Sequence, residues 1–305
     1  MFEKIVVFLT TISTDIGALM CSMCAAMANS NDEIYKTTFK LYKNWSPKSD
    51  LPLVDFRSGE TYEHFFHQVN ISPECFVGER ETFTHFKPFD QWEIYKLIKG
   101  VDGFFIITGI LKQHFRQDWF DYFHDQLPSL QEELNLKSNI TLNNRHENLT
   151  KLRWITFGYH HDWNSKIYDL NQKTVRIPDR INDLCQLVSM FMNFDMAAFK
   201  PEAGIVNYYT NNSSLCFHTD HSELNHQIPL ISLSLGASAI FLIGGPTKQS
   251  SQSIVPILLN DSDLVIMSGE SRLAFHSVPK ILASSSKYSS SRDILRINVN
   301  IRQVF

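Results

Sequence analysis

Apolar side chains recur with a helical period in three places. Residues 32–45 set Tyr35, Phe39 and Tyr42 at i, i+4 and i+7, one stripe of a helix. Residues 113–127 repeat the spacing with Phe115, Trp119 and Phe123. A third helix is predicted over 179–193, directly after Pro178, with Ile181, Leu184, Val188 and Phe191 on one side. Core packing is the expected role of these aromatic rings. The stretch between the first two helices is punctuated by Pro and Gly and shows no clear period. Residues 135–150 are polar and Asn-rich and read as a loop or linker.

The texture changes near residue 203. Short β-branched runs (IVNYYT, LCFHTD, LISLSLG, AIFLIGG, IVPILLN, DLVIMSG, RLAFHSV, ILRINVNIR) follow one another with turn residues between most of them. Many short strands at regular spacing indicate a sandwich or barrel. No internal repeat is present, and the Ser-rich residues 283–293 read as a loop before the last strand.

That last strand alternates. Leu295, Ile297, Val299 and Ile301 fall on one face, and Arg296, Asn298, Asn300 and Arg302 on the other. Such a polar face suits a surface strand. It equally suits a strip that recognises a dicarboxylate, with a guanidinium gripping one carboxylate in a forked pair and amides filling the remaining acceptors. Asn207 and Tyr209 repeat the i, i+2 geometry and would add an amide and a phenol.

His218-Thr219-Asp220 offers metal-ligand chemistry. If the three residues continue one strand, His218 and Asp220 share a face and can reach one ion. His276, on a later strand, supplies a second imidazole. Two histidines and one carboxylate leave coordination positions open, as in non-haem Fe(II) oxygenases. Zinc accepts a similar set, so the three residues alone fix neither the metal nor the reaction. His160, His161, His221 and His226 read as structural or surface histidines.

Composition narrows the class. With 305 residues, 43% hydrophobic and 20% charged, the chain can bury a large core. A formal net charge of −4 argues against binding nucleic acid or membrane by bulk charge, while leaving room for a local basic groove. Five scattered cysteines do not form a disulfide framework and fit a reducing compartment. Cys21 and Cys24 make a lone C-x-x-C. Residues 5–28 are apolar and end in Ala-Met-Ala; a signal peptide, a short anchor and a structural segment all remain open. No other run approaches the roughly 20 apolar residues of a membrane span.

Taken in order, Asn207-x-Tyr209, His218-x-Asp220, Gly269-Glu270-Ser271-Arg272 leading to His276, and Arg296-x-Asn298-x-Asn300-x-Arg302 resemble the AlkB family of Fe(II)/2-oxoglutarate dioxygenases. Leu152-Arg153-Trp154-Ile155-Thr156 followed by Gly158-Tyr159 resembles that family's nucleotide-recognition segment. The sequence departs from bacterial members in carrying Asn300 in place of Thr. It departs from mammalian ones in a short Ser-rich 281–293.

The resemblance implies an enzyme that uses Fe(II), 2-oxoglutarate and O2 to demethylate bases in tRNA or DNA, releasing formaldehyde, succinate and CO2. It implies that His218, Asp220 and His276 hold the iron, and that Asn207, Tyr209, Arg296, Asn298 and Arg302 hold the cosubstrate, with Arg296 on the distal carboxylate. Trp154 and Tyr159 would lie over the substrate base, although Trp154 equally suits a core. Alternatives on the same roll are a hydroxylase of protein or small molecules and a catalytically silent binding relative.

The expected architecture is α+β and mainly β. An apolar segment (1–30) precedes a helical region (31–150), which buttresses one sheet of a double-stranded β-helix, a jelly roll, at 151–305 with its core at 200–305. A monomer without stable membrane association is expected, inside the cell in nucleus, cytoplasm or mitochondrion. Lys137, Arg145, Lys151, Arg153, Lys166, Lys173, Arg176 and Arg180 outnumber the acids among them, so residues 137–180 can form either a phosphate-following groove around Trp154, Tyr159 and Trp163 or a solvated face.

Overall fold

The computed structural model describes residues 31–58, 62–70, 83–130, 153–162, 165–173, 175–192, 199–248, 254–285 and 293–305. The apolar N-terminal segment with Cys21 and Cys24, Cys75, the Asn-rich 135–150 and most of the Ser-rich segment lie outside these residues. Thirteen strands are present among the described residues: β1 (Phe66–Val69), β2 (Glu93–Leu97), β3 (Phe104–Thr108), β4 (Trp154–Asp162), β5 (Ile167–Lys173), β6 (Ala203–Tyr209), β7 (Leu215–His218), β8 (Leu230–Gly236), β9 (Ser238–Ile243), β10 (Val255–Leu259), β11 (Leu264–Met267), β12 (His276–Leu282) and β13 (Arg296–Arg302). They form a nine-stranded sheet in the order β1-β2-β3-β11-β8-β13-β6-β4-β5 and a four-stranded sheet in the order β10-β9-β12-β7. Strand pairings within both sheets are antiparallel. This is the expected two-sheet roll.

The large sheet buries both faces. On one face Ile297, Val299 and Ile301 of β13 pack with Trp119, Phe120, Ile181, Leu184 and Val188. Those partners come from α2 (Arg116–Asp121) and α3 (Asp179–Met192). On the other face Tyr95, Phe104, Tyr209 and Val265 meet Ala239, Phe241, Val255 and Ile257 of the small sheet. The outer side of the small sheet is covered by α1 (Asn31–Lys43), whose Tyr35 and Tyr42 pack on Ile240 and Leu242. Each predicted helix therefore forms and covers a sheet. The second is not uniform: a π-helical turn, Tyr122–Gln126, follows α2 while keeping Trp119 and Phe123 fully buried.

Three features depart from expectation. Residues 66–108, expected within a helical region, supply β1, β2 and β3 to the large sheet. β3 is buried along almost its whole length, so it shows no polar alternation to reveal it. Strand β7 ends at His218, so Asp220 lies beyond it and not on it. Leu295 precedes β13 and packs in the core between the sheets, opposite to Ile297.

The chain passes from the large sheet to the small one through Gly236 and Ala237. Gly236 has φ +89°, and a Cβ there would stand 2.4 Å from the Leu295 carbonyl oxygen. Only glycine fits this crossing without strain. No described helix is long and apolar enough to cross a membrane.

Candidate active site

His218 closes β7 and His276 opens β12, and the two are register partners in the small sheet. Their rings lie 4.3 Å apart, centroid to centroid. Asp220 reaches the same point from the loop after β7, its Oδ2 3.8 Å from His276 Nε2. One ligand atom from each of His218, Asp220 and His276 falls within 4.8 Å of the others, the only such group among the described residues.

The ring nitrogens are sorted by the backbone. His218 Nδ1 lies 2.9 Å from the Cys216 carbonyl and His276 Nδ1 3.0 Å from the Ala274 carbonyl. A carbonyl only accepts, so each Nδ1 carries a hydrogen and each Nε2 is the nitrogen turned to the common point, the one able to ligate an ion. Burial, reinforced by repulsion from His218, lowers the His276 pKa to about 4 and keeps its ring neutral. Burial opposes ionisation of Asp220, yet the Arg302 guanidinium, then His276 and His218, outweigh it and hold its carboxyl well below the usual range. Two imidazoles and a carboxylate at one point are the donor set of a divalent transition metal.

A cavity between the sheets runs from this point. Tyr209, His218, Ser232, His276, Arg296, Asn298 and Asn300 line it, with Leu230, Phe241 and Met267 among the apolar walls. Arg296 is 2% exposed. Its guanidinium donates to the Ala237 carbonyl (2.8 Å) and Ser234 Oγ (2.6 Å), and its Nε has no partner. Among the described residues no carboxylate is shown in an ion pair with it; burial lowers its pKa to about 10, opposed at longer range by Asp263 and Asp261. A buried cation with a spare donor and no counter-ion fits an anionic ligand. Burial also pushes Tyr209 up to about 12, so its phenol is neutral.

The remaining expected residues divide. Asn298 lines the cavity, but its amide hydrogens go to Ser232 Oγ (2.8 Å) and the Leu233 carbonyl (3.2 Å), so the structure does not bear out Nδ2 as a free donor. Asn207 is the register partner of Asn298 and is not among the lining residues. Arg302 grips Asp220 Oδ1 at 2.9 Å and also touches Tyr168 and Glu223. Trp154 is the register partner of Asn207 at the start of β4 and is not among the lining residues. Tyr159 lies five residues further, about 16 Å along an extended strand. It stacks edge-on against Phe305. Trp154 and Tyr159 therefore stand apart along β4, and a shared role over one base is a matter for experiment. Of the basic strip, Arg180 is bound to Asp118 and lies over Tyr122, and Arg176 pairs with Asp179. Lys137, Arg145, Lys151 and Trp163 lie outside the described residues. Sequence reasoning missed Ser232 and Ser234, although their i, i+2 spacing on β8 opposite the polar face of β13 carries the signal.

Residues 103–302 match the 2OG-Fe(II) oxygenase superfamily. The chain belongs to this superfamily. The oxygenase is 29% identical to nucleic acid dioxygenase ALKBH1 of Homo sapiens over 299 residues, 88% of this chain and 75% of the human protein. It is 38% identical to tRNA demethylase abh1 of Schizosaccharomyces pombe over 163 residues, 50% of this chain and 53% of that protein. Against DNA N(6)-methyladenine demethylase ALKBH1A of Arabidopsis thaliana the identity is 36% over 174 residues, 52% of this chain and 50% of that one. The solved structure of OsALKBH1 shares the fold, with TM-score 0.51 and 21% identity over 66% of this chain and 96% of that chain. The AlkB resemblance read from the motifs is thus matched by the relatives, and the superfamily implies Fe(II) and 2-oxoglutarate.

Proposed function

We propose that this oxygenase removes methyl groups oxidatively from bases in nucleic acid, tRNA or DNA, with Fe(II) held by His218, Asp220 and His276. The observation that carries the reading is the cavity joining those histidines to Arg296, a buried cation with no anion of its own. Arg296 would hold the distal carboxylate of 2-oxoglutarate, with Tyr209 donating its phenol hydrogen alongside. Arg302, fixed against Asp220, would stand at the metal end. Asn298 would orient Ser232, and Asn207 would close the strip beside it. The apolar walls exclude water and strengthen each of these contacts.

When bound, iron and 2-oxoglutarate with O2 supply the oxidising power, which the protein only aims. The product of N-methyl oxidation is a hydroxymethyl group that leaves as formaldehyde. Trp154, the register partner of Asn207, supplies a face on which an unpaired or extruded base stacks. Names borne by the relatives support nucleic acid as the substrate. The test is a library of tRNA and DNA oligonucleotides carrying methylated bases, incubated with Fe(II), 2-oxoglutarate and ascorbate and read by mass spectrometry. Loss of a methyl group from at least one base, abolished in His218→Ala, is expected. Succinate release without demethylation of any base would favour a protein or small-molecule hydroxylase instead.

A further inference from the structure

Beneath Asp220 lies a layer of buried charge that no metal or cosubstrate contact requires. Glu223 side-chain exposure is 0%, that of Arg272 2% and that of Arg302 5%. Glu223 uses both oxygens: Oε2 accepts from Arg272 Nη2 at 2.8 Å, and Oε1 accepts from the Tyr168 hydroxyl at 2.8 Å and faces Arg302 Nε at 3.3 Å. The Tyr168 oxygen in turn accepts from Arg302 Nη1 at 3.2 Å. The two arginines hold Asp220 from two sides. Arg302 Nη2 takes Oδ1 at 2.9 Å, and Arg272 Nη1 takes the Asp220 backbone carbonyl at 2.7 Å. Arg272 also donates to the Ile228 carbonyl, which pins the far end of the loop that carries Asp220.

The consequence concerns which oxygen Asp220 offers. Asp220 stands beyond the end of β7, so no strand hydrogen bonds set its side chain. With Oδ1 taken by Arg302, only Oδ2 faces His276. A carboxylate free to rotate can cover two positions on an ion. One held in this way covers one and leaves the others for a chelating ligand and O2. Because two carboxylates, Asp220 and Glu223, are buried with two cations, removing the charge of one member leaves another uncompensated.

We propose that Tyr168 and Glu223 are positioning residues for the oxygenase reaction. Through Arg302 and Arg272 they fix Asp220 so that a single oxygen is presented to the metal. Tyr168 sits on β5, the edge strand of the large sheet, so its hydroxyl ties the hairpin of β4 and β5 to the residues that hold Asp220, beside the His161–Ser222 contact from β4. The inference rests on the proposed role of Asp220 as a ligand.

The experiment is anaerobic titration of the metal-free full chain with Mn(II), followed by the electron paramagnetic resonance signal of the free ion. Wild type, Tyr168→Phe, Glu223→Gln and His218→Ala are compared, with a thermal melt of each metal-free protein. Partners behind metal ligands commonly alter affinity by about 10–100-fold. Tyr168→Phe, which keeps the ring, is expected to raise the Mn(II) dissociation constant about 10-fold, and Glu223→Gln further. A purely structural role would lower the melting temperature and leave the affinity of the folded protein unchanged. Wild-type affinity in folded Tyr168→Phe overturns the proposal, whatever the behaviour of Glu223→Gln. Equal Mn(II) uptake by wild type and His218→Ala overturns the metal-site reading, and this inference with it.

Discussion

Replacing Arg296 by Met separates a ligand-binding arginine from a structural one. The side chain is buried, and its pKa falls from 12.5 to about 10 through burial. At about 1.4 kcal/mol per tenfold, the folded protein holds this cation at a cost on the order of 3 kcal/mol. The lowered value means that the cost is present at every pH below about 10 and so is constant across the assay range. Met removes that cost but orphans the Ala237 carbonyl and Ser234 Oγ, a loss of about 1–3 kcal/mol for each. The two contributions oppose, so the metal-free variant should melt within about 4 °C of wild type, taking an unfolding entropy near 2.1 cal/mol/K per residue.

Ligand response should differ sharply. With Mn(II) present, 2-oxoglutarate at 100 times its Kd stabilises wild type by about 2.7 kcal/mol, roughly 4 °C for this chain. In Arg296→Met the shift should shrink to roughly 0.5–2 °C, because loss of a charge-assisted pair removes about 1.5–3 kcal/mol of affinity. Differential scanning fluorimetry reads both quantities. A fall of roughly 5–8 °C in the metal-free variant, the mark of a broken buried pair, or an undiminished shift with 2-oxoglutarate would refute the reasoning.

Three further outcomes are expected. Trp154→Ala should weaken oligonucleotide binding by about 1–3 kcal/mol while Tyr159→Ala changes it little, measured by fluorescence anisotropy at two salt concentrations; wild-type affinity should fall steeply with salt if cations contact phosphates. Lowering the pH should destabilise the metal-free protein: His276 and His161 have pKa lowered from 6.5 to about 4, both first by burial, so the unfolded chain binds more protons in that interval. The stability they contribute is full above about 6.5 and is lost toward 4, about 3 kcal/mol for His276, and urea midpoints across that range check it. Gly236→Ala should cost at least about 2 kcal/mol in urea unfolding, because the added Cβ meets the Leu295 carbonyl in a backbone region unfavourable to alanine.

What the sequence disclosed follows from where period survives burial. Tyr35 and Tyr42 share one helix face, so their stripe was legible. In β13 one face packs on helices and the other lines the cavity, and its alternation separated Ile297 and Val299 from Arg296 and Asn298. Strand β3 was illegible because both its faces are buried, which erases the polar alternation even though one partner, β2, is local and the other, β11, lies more than 150 residues away. The layer of Tyr168, Glu223, Arg272 and Arg302 has no period either. Its members come from two strands, a loop and a 3-10 turn, joined across up to 134 residues.

The crossing at Gly236 and Ala237 bears on traffic through the cavity. The carbonyl of Ala237 is one of the seats of Arg296, so spreading the sheets at that end would unseat the cation that waits for a ligand. That end is therefore a closed floor. At the other end His218 is only half-buried and His221 is exposed, so the histidine rim is the more open end. A diacid entering on this side would pass His218 and Asp220 before reaching Arg296, so a polymer lying across the rim would obstruct the path to the buried cation.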